Sequence, residues 1–166
     1  MNESPESVPN IVRNAASLAR KAPLVSHPLN GAAQRKTVSL GDLTRLSKVG
    51  IHLNVVAPGV TTTEPHRHEF ADEFMFILQG TAEVQLGDEV HTLTSGDFIG
   101  LPARGPAHAF TNTGGTELIY LVGGNRPDFD VCTYPNREQR LYVYQSVEGR
   151  VKDWVRKGTL ENDNAE

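Results

Sequence analysis

Residues 64–80 read Glu-Pro-His-Arg-His-Glu-Phe-Ala-Asp-Glu-Phe-Met-Phe-Ile-Leu-Gln-Gly and join two patterns. The second half, from Glu73 to Gln79, is an apolar run of strand length closed by a glycine. The first half holds His66 and His68, two residues apart. In extended backbone that spacing puts both imidazoles on one face, about 7 Å apart along the strand. Two neutral imidazoles aimed at one point form a seat for a divalent metal. Glu73 lies five residues beyond His68, an odd spacing that would send it to the opposite face of an unbroken strand. Residues 69–72 must therefore bend, so that Glu73 opens a new strand on the side of the histidines. Glu69 and Asp72 are rival carboxylates, and Asp72 faces away if Glu73 faces in.

Outward from this stretch the chain continues as short strand-like segments. They fall at 37–40, 50–57, 81–86, 89–93, 98–101, 107–112, 117–122 and 141–145. Turn signals separate them, among them Pro58-Gly59, Gln79-Gly80, Ser95-Gly96-Asp97, Gly105-Pro106 and Gly114-Gly115. Leu86-Gly87-Asp88-Glu89 has the form of a two-residue hairpin link. Short strands with frequent turns indicate an all-β sandwich or barrel. His108 follows Glu73 by 35 residues and meets the others only if the sheet folds back over itself, as in a small barrel. Four protein donors in an octahedral shell leave two positions open, whereas a tetrahedral shell would be filled and inert.

A second motif repeats this logic. The first reads Gly59, six residues, His66-Arg67-His68, four residues, Glu73, six residues, Gly80. The second reads Gly96, five residues, Pro102, Ala103-Arg104, Gly105, two residues, His108, three residues, Asn112. Together they resemble the paired motifs of the cupins over roughly residues 40–135, with one extra residue before His66 and one between Pro102 and Gly105. The resemblance implies a double-stranded β-helix, a jelly-roll barrel, whose lumen holds one metal. It implies His66, His68, Glu73 and His108 as the ligands and a structural part for Asn112. Family metals include zinc, manganese, iron, nickel, copper and cobalt. Family activities include dioxygenases, decarboxylases, sugar-phosphate isomerases, lyases and epimerases, and some members bind without catalysis. The segment after the barrel is like that of small single-domain bacterial cupins.

The chain of 166 residues suits a single domain. The division expected is an N-terminal arm at 1–36, a cupin barrel at 37–145, and a C-terminal extension with a frayed tail at 146–166. The arm carries at most a short helix at 11–20, and 151–157 suggests a helical turn. Sixteen basic and twenty acidic residues give a net charge of -4 with no Lys/Arg run, so neither nucleic acid nor a membrane is an expected partner. The single cysteine, Cys132, makes no internal disulfide and reads as a small inert residue. A cytoplasmic setting and a homodimer covering a sheet edge are expected.

His52 and Asn54 alternate on the strand before the first motif. They line the lumen as proton-transfer or orienting groups, or, if Ile51, Leu53 and Val55 face the core, they point to solvent or a partner. Phe74, Phe76 and Phe110 read as core aromatics. His27 and His91 read as surface residues, Arg67 as outward-facing, and the basic residues of 150–157 as a solvated face. The function expected is a metal-dependent isomerase or lyase acting on a small sugar- or hydroxy-acid-like molecule, with His52 as a candidate base. A metal-dependent dioxygenase and a non-catalytic metal or ligand-binding module are the alternatives.

Overall fold

The computed structural model describes residues 14–146 and 149–156. A short helix α1 (Ala15–Lys21) is capped by Asn14, whose side chain accepts a hydrogen bond from the Ser17 amide, and ends on Arg20 and Lys21. Strands β1 (Leu24–His27) and β2 (Asn30–Ser39), the single turn α2 (Leu40–Leu43) and β3 (Val49–Val56) come next. They are followed by β4 (Arg67–His68), β5 (Glu73–Gln79), β6 (Thr81–Leu86), β7 (Glu89–Thr94) and β8 (Phe98–Leu101). The last five are β9 (His108–Asn112), β10 (Leu118–Asn125), β11 (Phe129–Tyr134), β12 (Gln139–Ser146) and β13 (Gly149–Arg156).

The strands form a six-stranded sheet in the order β1-β2-β3-β10-β5-β8, a four-stranded sheet β13-β12-β11-β4 and a three-stranded sheet β7-β6-β9. Every pairing is antiparallel. Period-2 alternation decides what each strand buries. From the six-stranded sheet, Val56, Met75, Ile77, Leu101, Leu118 and Tyr120 point inward; Ala82, Val84 and Phe110 of the three-stranded sheet meet them. This is the all-β jelly-roll barrel expected from the sequence. The apolar cluster fills one end of the lumen, and the polar residues described below occupy the rest.

Two glycines are needed for closure. Gly80 turns β5 into β6 at φ +91°, and an added Cβ would stand 2.9 Å from the Glu117 carbonyl oxygen. Gly87 supplies the left-handed φ of +60° at the first position of the β6–β7 hairpin, whose flanking pair is Leu86 and Glu89. Asn112, fully buried at the end of β9, is a clamp. Its Nδ2 donates to the Val56 and Thr116 carbonyls, both at 2.9 Å, and its Oδ1 accepts from the Gly114 amide at 3.0 Å. Asn112→Ala strands three backbone groups in a dry site. It is expected to lower unfolding free energy by about 3 kcal/mol, read as a lower denaturant midpoint at unchanged slope.

Some local expectations are corrected. The first strand does not start at 37: β2 runs from Asn30 and β1 precedes it, so much of the segment read as an arm is sheet. The short helix expected within 11–20 is present at Ala15–Lys21, and residues 1–13 of the arm and 157–166 of the tail are outside the described residues. The stretch at 151–156 is strand, paired along its length with β12, because the hairpin partner overrides the helical spacing of Val151, Trp154 and Val155. Strand β11, absent from the expected list, pairs with β4 on one side and β12 on the other. Among the described residues no helix is long and apolar enough to cross a membrane.

Candidate functional site

The site is assembled by backbone pairing between remote segments. His66 and His108 form a reciprocal bridge: the His66 amide donates to the His108 carbonyl at 3.1 Å and the His108 amide to the His66 carbonyl at 2.8 Å. Their rings stand 4.8 Å apart, centroid to centroid. His68, on β4, lies opposite Cys132 of β11. The bend required between His68 and Glu73 is present and pinned. The Asp72 amide donates to Asn125 Oδ1 at 2.8 Å, and Asp72 Oδ1 accepts from the Ala103 amide at 2.8 Å. Asp72 thus faces outward, and Glu73 opens β5 toward the histidines.

Glu73 Oε2 lies 3.4 Å from His68 Nε2 and 3.4 Å from His108 Nε2. Donor atoms of His66, Glu73 and His108 all fall within 4.8 Å of one another. The other ring nitrogens are tied down. Nδ1 of His66 faces the Glu64 carbonyl at 2.9 Å, Nδ1 of His108 the Pro106 carbonyl at 3.3 Å, and Nδ1 of His68 the Asp130 carboxylate at 2.6 Å. An Nδ1–H directed at an oxygen acceptor leaves Nε2 as the lone-pair donor. Three imidazoles so oriented around one carboxylate are a donor set suited to a divalent first-row metal. His66, Glu73 and His108 could hold such an ion together, and His68 stands next to them through Glu73.

Electrostatics follow from burial and pairing. Burial, helped by His108, pushes His66 down to about 3, so it stays neutral. Burial opposes charge on His68, but hydrogen bonds to Asp130 and Glu73 outweigh it and raise this imidazole to about 10. Burial likewise opposes the Glu73 carboxylate, yet contacts from His108 and His68 hold it well below the usual range. Cys132 offers its sulfur within 4.8 Å of donor atoms of His66 and His68. Burial pushes its thiol up to about 12, and a neutral thiol is a poor ligand.

His66, Glu73 and His108 line a cavity of about 300 Å³, and His68 faces a neighbouring one. Arg35, Thr37, His52, Asn54, Tyr120 and Lys152 line the rest together with apolar residues. Sheet register explains the polar strip: Thr37 pairs with Asn54, Asn54 with Tyr120, and Tyr120 with Ile77. His52 pairs through Val122 to Met75 and so lies one inward position along from the Glu73 row, two strands away, roughly 10 Å across. His52 and Asn54 therefore face the lumen, while buried Leu53 lies on the other face of β3. Burial lowers His52 from its ordinary value, which keeps it neutral near pH 7.

The remaining expectations divide. Arg67 points outward to Glu69 at 3.3 Å, His91 is exposed, and Phe110 is core. His27, read as a surface residue, is 7 % exposed and lines the cavity beside Tyr134, because β1 brings it inward. Lys152 is exposed, as read for a solvated face, and it also lines the cavity at its mouth. Asp130 has no place among the residues expected at the site. It lies 2 % exposed on the inward face of β11, and its Oδ1 accepts from the Phe70 and Ala71 amides. The signal for it is alternation: Asp130, Cys132 and Tyr134 share a face in Phe-Asp-Val-Cys-Thr-Tyr, but that face is polar and does not look like a core strand.

A family model described as Cupin domain matches residues 52–124. A protein of Acidithiobacillus ferrooxidans, provisionally named a sugar phosphate isomerase, is 35 % identical, with a TM-score of 0.78 over 88 % of this chain and 92 % of that one. A sugar phosphate isomerase of Silicibacter pomeroyi, from a cupin superfamily, is 27 % identical, with a TM-score of 0.69 over 82 % of this chain and 85 % of that one. Protein SchB of Streptomyces halstedii is 37 % identical over 78 residues, 45 % of this chain; the match spans 55 % of SchB.

Proposed function

The chain belongs to the cupin superfamily, and we propose that it acts as a metal-dependent isomerase or lyase on a small hydroxy-carbonyl compound of the sugar or hydroxy-acid kind. The observation that carries this reading is the meeting of His66, Glu73 and His108 on the wall of a cavity that also has polar lining, with His68 joined to them through Glu73 Oε2. The names borne by the Acidithiobacillus and Silicibacter relatives support the same substrate class. A bound divalent metal would supply Lewis acidity toward a substrate oxygen, which acidifies the adjacent C–H.

The chain's own residues do the remainder. Glu64, Pro106 and Asp130 hold the three imidazoles by their Nδ1 atoms, so no reorientation is needed when Nε2 is engaged. Glu73 is committed to the cluster and is not available as a free base. His52, neutral and facing the lumen, is the group suited to accept the proton and return it to a neighbouring carbon or oxygen. Tyr120 stays protonated, its hydroxyl raised to about 12 by burial, and so offers a hydrogen bond to a substrate oxygen. The apolar end of the lumen, formed by Met75, Leu101 and Phe110, limits water around the reacting carbon.

The test is solvent-proton exchange. Full-length protein, stripped with chelator and then reloaded with manganese, zinc or cobalt, is incubated in D2O with aldose and ketose substrates and followed by NMR. Deuterium should enter the carbon next to the carbonyl only in the loaded protein, and His52→Gln should lower the rate by about 100-fold. Failure to take up any divalent ion in excess, or loaded protein without exchange or elimination on any member of the panel, would overturn the reading.

A further inference from the structure

Two cations line the cavity beside the histidines, Arg35 from the six-stranded sheet and Lys152 from the sheet that also carries His68. Arg35 reaches inward from β2 and is anchored by a hydrogen bond from its Nη1 to the Thr62 carbonyl at 2.5 Å. Lys152 enters from β13 at the mouth. Among the described residues, no carboxylate pairs with either. The basic residues at the margins behave differently: Arg126 pairs with Asp42, and Arg137 pairs with Glu64 at 2.9 Å. Glu73, the acid on the cavity wall, is spent on His68 and His108. A guanidinium has five N–H donors in a fork that matches an oxyanion, and an ammonium adds three more. Arg35 is half-buried and Lys152 is exposed at the cavity rim, and with no carboxylate on either the space they face is electropositive and suited to negative charge.

The polar strip between them and the cluster extends the pattern. Asn54 is 2 % exposed and lines the cavity, and its Oδ1 is buried without a partner. Thr37 sits directly across from it on β2. Hydroxyl-bearing substrate carbons fit such a strip.

We propose that Arg35 and Lys152 form an oxyanion subsite, so that the substrate is an anionic hydroxy-carbonyl compound, a phosphate monoester or a carboxylate, whose charged group these two side chains hold. This rests on the reading of the cavity as a substrate site and names the class of molecule that fills it. It does not require the metal, so it is tested without one.

Chelator-treated full-length protein is titrated calorimetrically with inorganic phosphate, glycerol 1-phosphate, glycerate and uncharged glycerol. The anions should bind and glycerol should not; the tighter of glycerol 1-phosphate and glycerate identifies the oxyanion. Arg35→Met and Lys152→Met should each weaken anion binding about tenfold or more, and the double variant about 100-fold, from loss of charge-assisted bonds. Arg67→Met, outside the cavity, should change nothing. Anions that bind no better than glycerol, or variants that bind them as the wild type does, overturn the subsite. Metal uptake measured on the same variants keeps that outcome separate from the metal reading, because neither residue belongs to the histidine cluster.

Discussion

Glu73→Gln is expected to weaken binding of a divalent metal by at least about 100-fold, more than is usual for the loss of a group that only orients a ligand. The substitution keeps size and shape and removes the only carboxylate in the donor set. Glu73 Oε2 is equidistant, at 3.4 Å, from the Nε2 atoms of His68 and His108, so its charge sits where a cation would. An amide oxygen there is a weaker donor, and the Gln amide must turn an N–H toward one of the imidazoles. Competition with a chromophoric chelator reads the affinity. Melting temperature gives a second measure, since a ligand that binds only the folded state stabilises it by mass action. The metal-induced rise in melting temperature should vanish in Glu73→Gln and persist in Glu69→Gln, because Glu69 faces outward toward Arg67 and Thr133. Equal affinity in Glu73→Gln and the wild type would remove Glu73 from the donor set.

The fold and the convergence of the four side chains are legible in the sequence for a physical reason. Ligand-like residues at fixed spacing on extended backbone can share a face in few ways, and the glycines at 80 and 87 mark turns that only a left-handed φ allows. The His66–His68 pair, the bend before Glu73 and the outward Asp72 all follow from period-2 geometry. The rest of the site is not legible. Arg35 lies in a stretch punctuated by proline and polar residues, and its inward direction depends on register with β3, which a single strand does not carry. Asp130 and Cys132 lie on β11, whose inward face is polar because it meets a site and not the core. Lys152 escapes a reading from sequence because its strand exists only through pairing with β12. Functional walls break the apolar alternation by which strands are recognised, and the missed residues are concentrated there.

Metal binding is expected to release close to one proton per ion near neutral pH, and that proton comes from His68. In the metal-free protein, burial disfavours the charged ring, but Asp130 at 2.6 Å and Glu73 at 3.4 Å outweigh it and lift His68 to about 10. The contribution of this raised value to stability is fully present below the unfolded value of about 6.5. It is lost as pH rises through about 10. His66, lowered to about 3, works the other way and costs stability as pH falls below about 6.5. Coordination needs the His68 Nε2 lone pair, so the ion competes with a proton. Apparent affinity for manganese should therefore rise about tenfold per pH unit between about pH 7 and about pH 9. Calorimetry in buffers of different ionisation enthalpy should count the released proton directly. Asp130→Asn removes the carboxylate that favours the charged ring while keeping a hydrogen-bond partner. Its pH slope should flatten, its proton release should fall well below one, and its affinity at the high end of the range should drop about 10–100-fold. A wild-type affinity that is flat across this range, with no proton released, would mean that His68 is already neutral in the metal-free site and that Asp130 orients it without charging it.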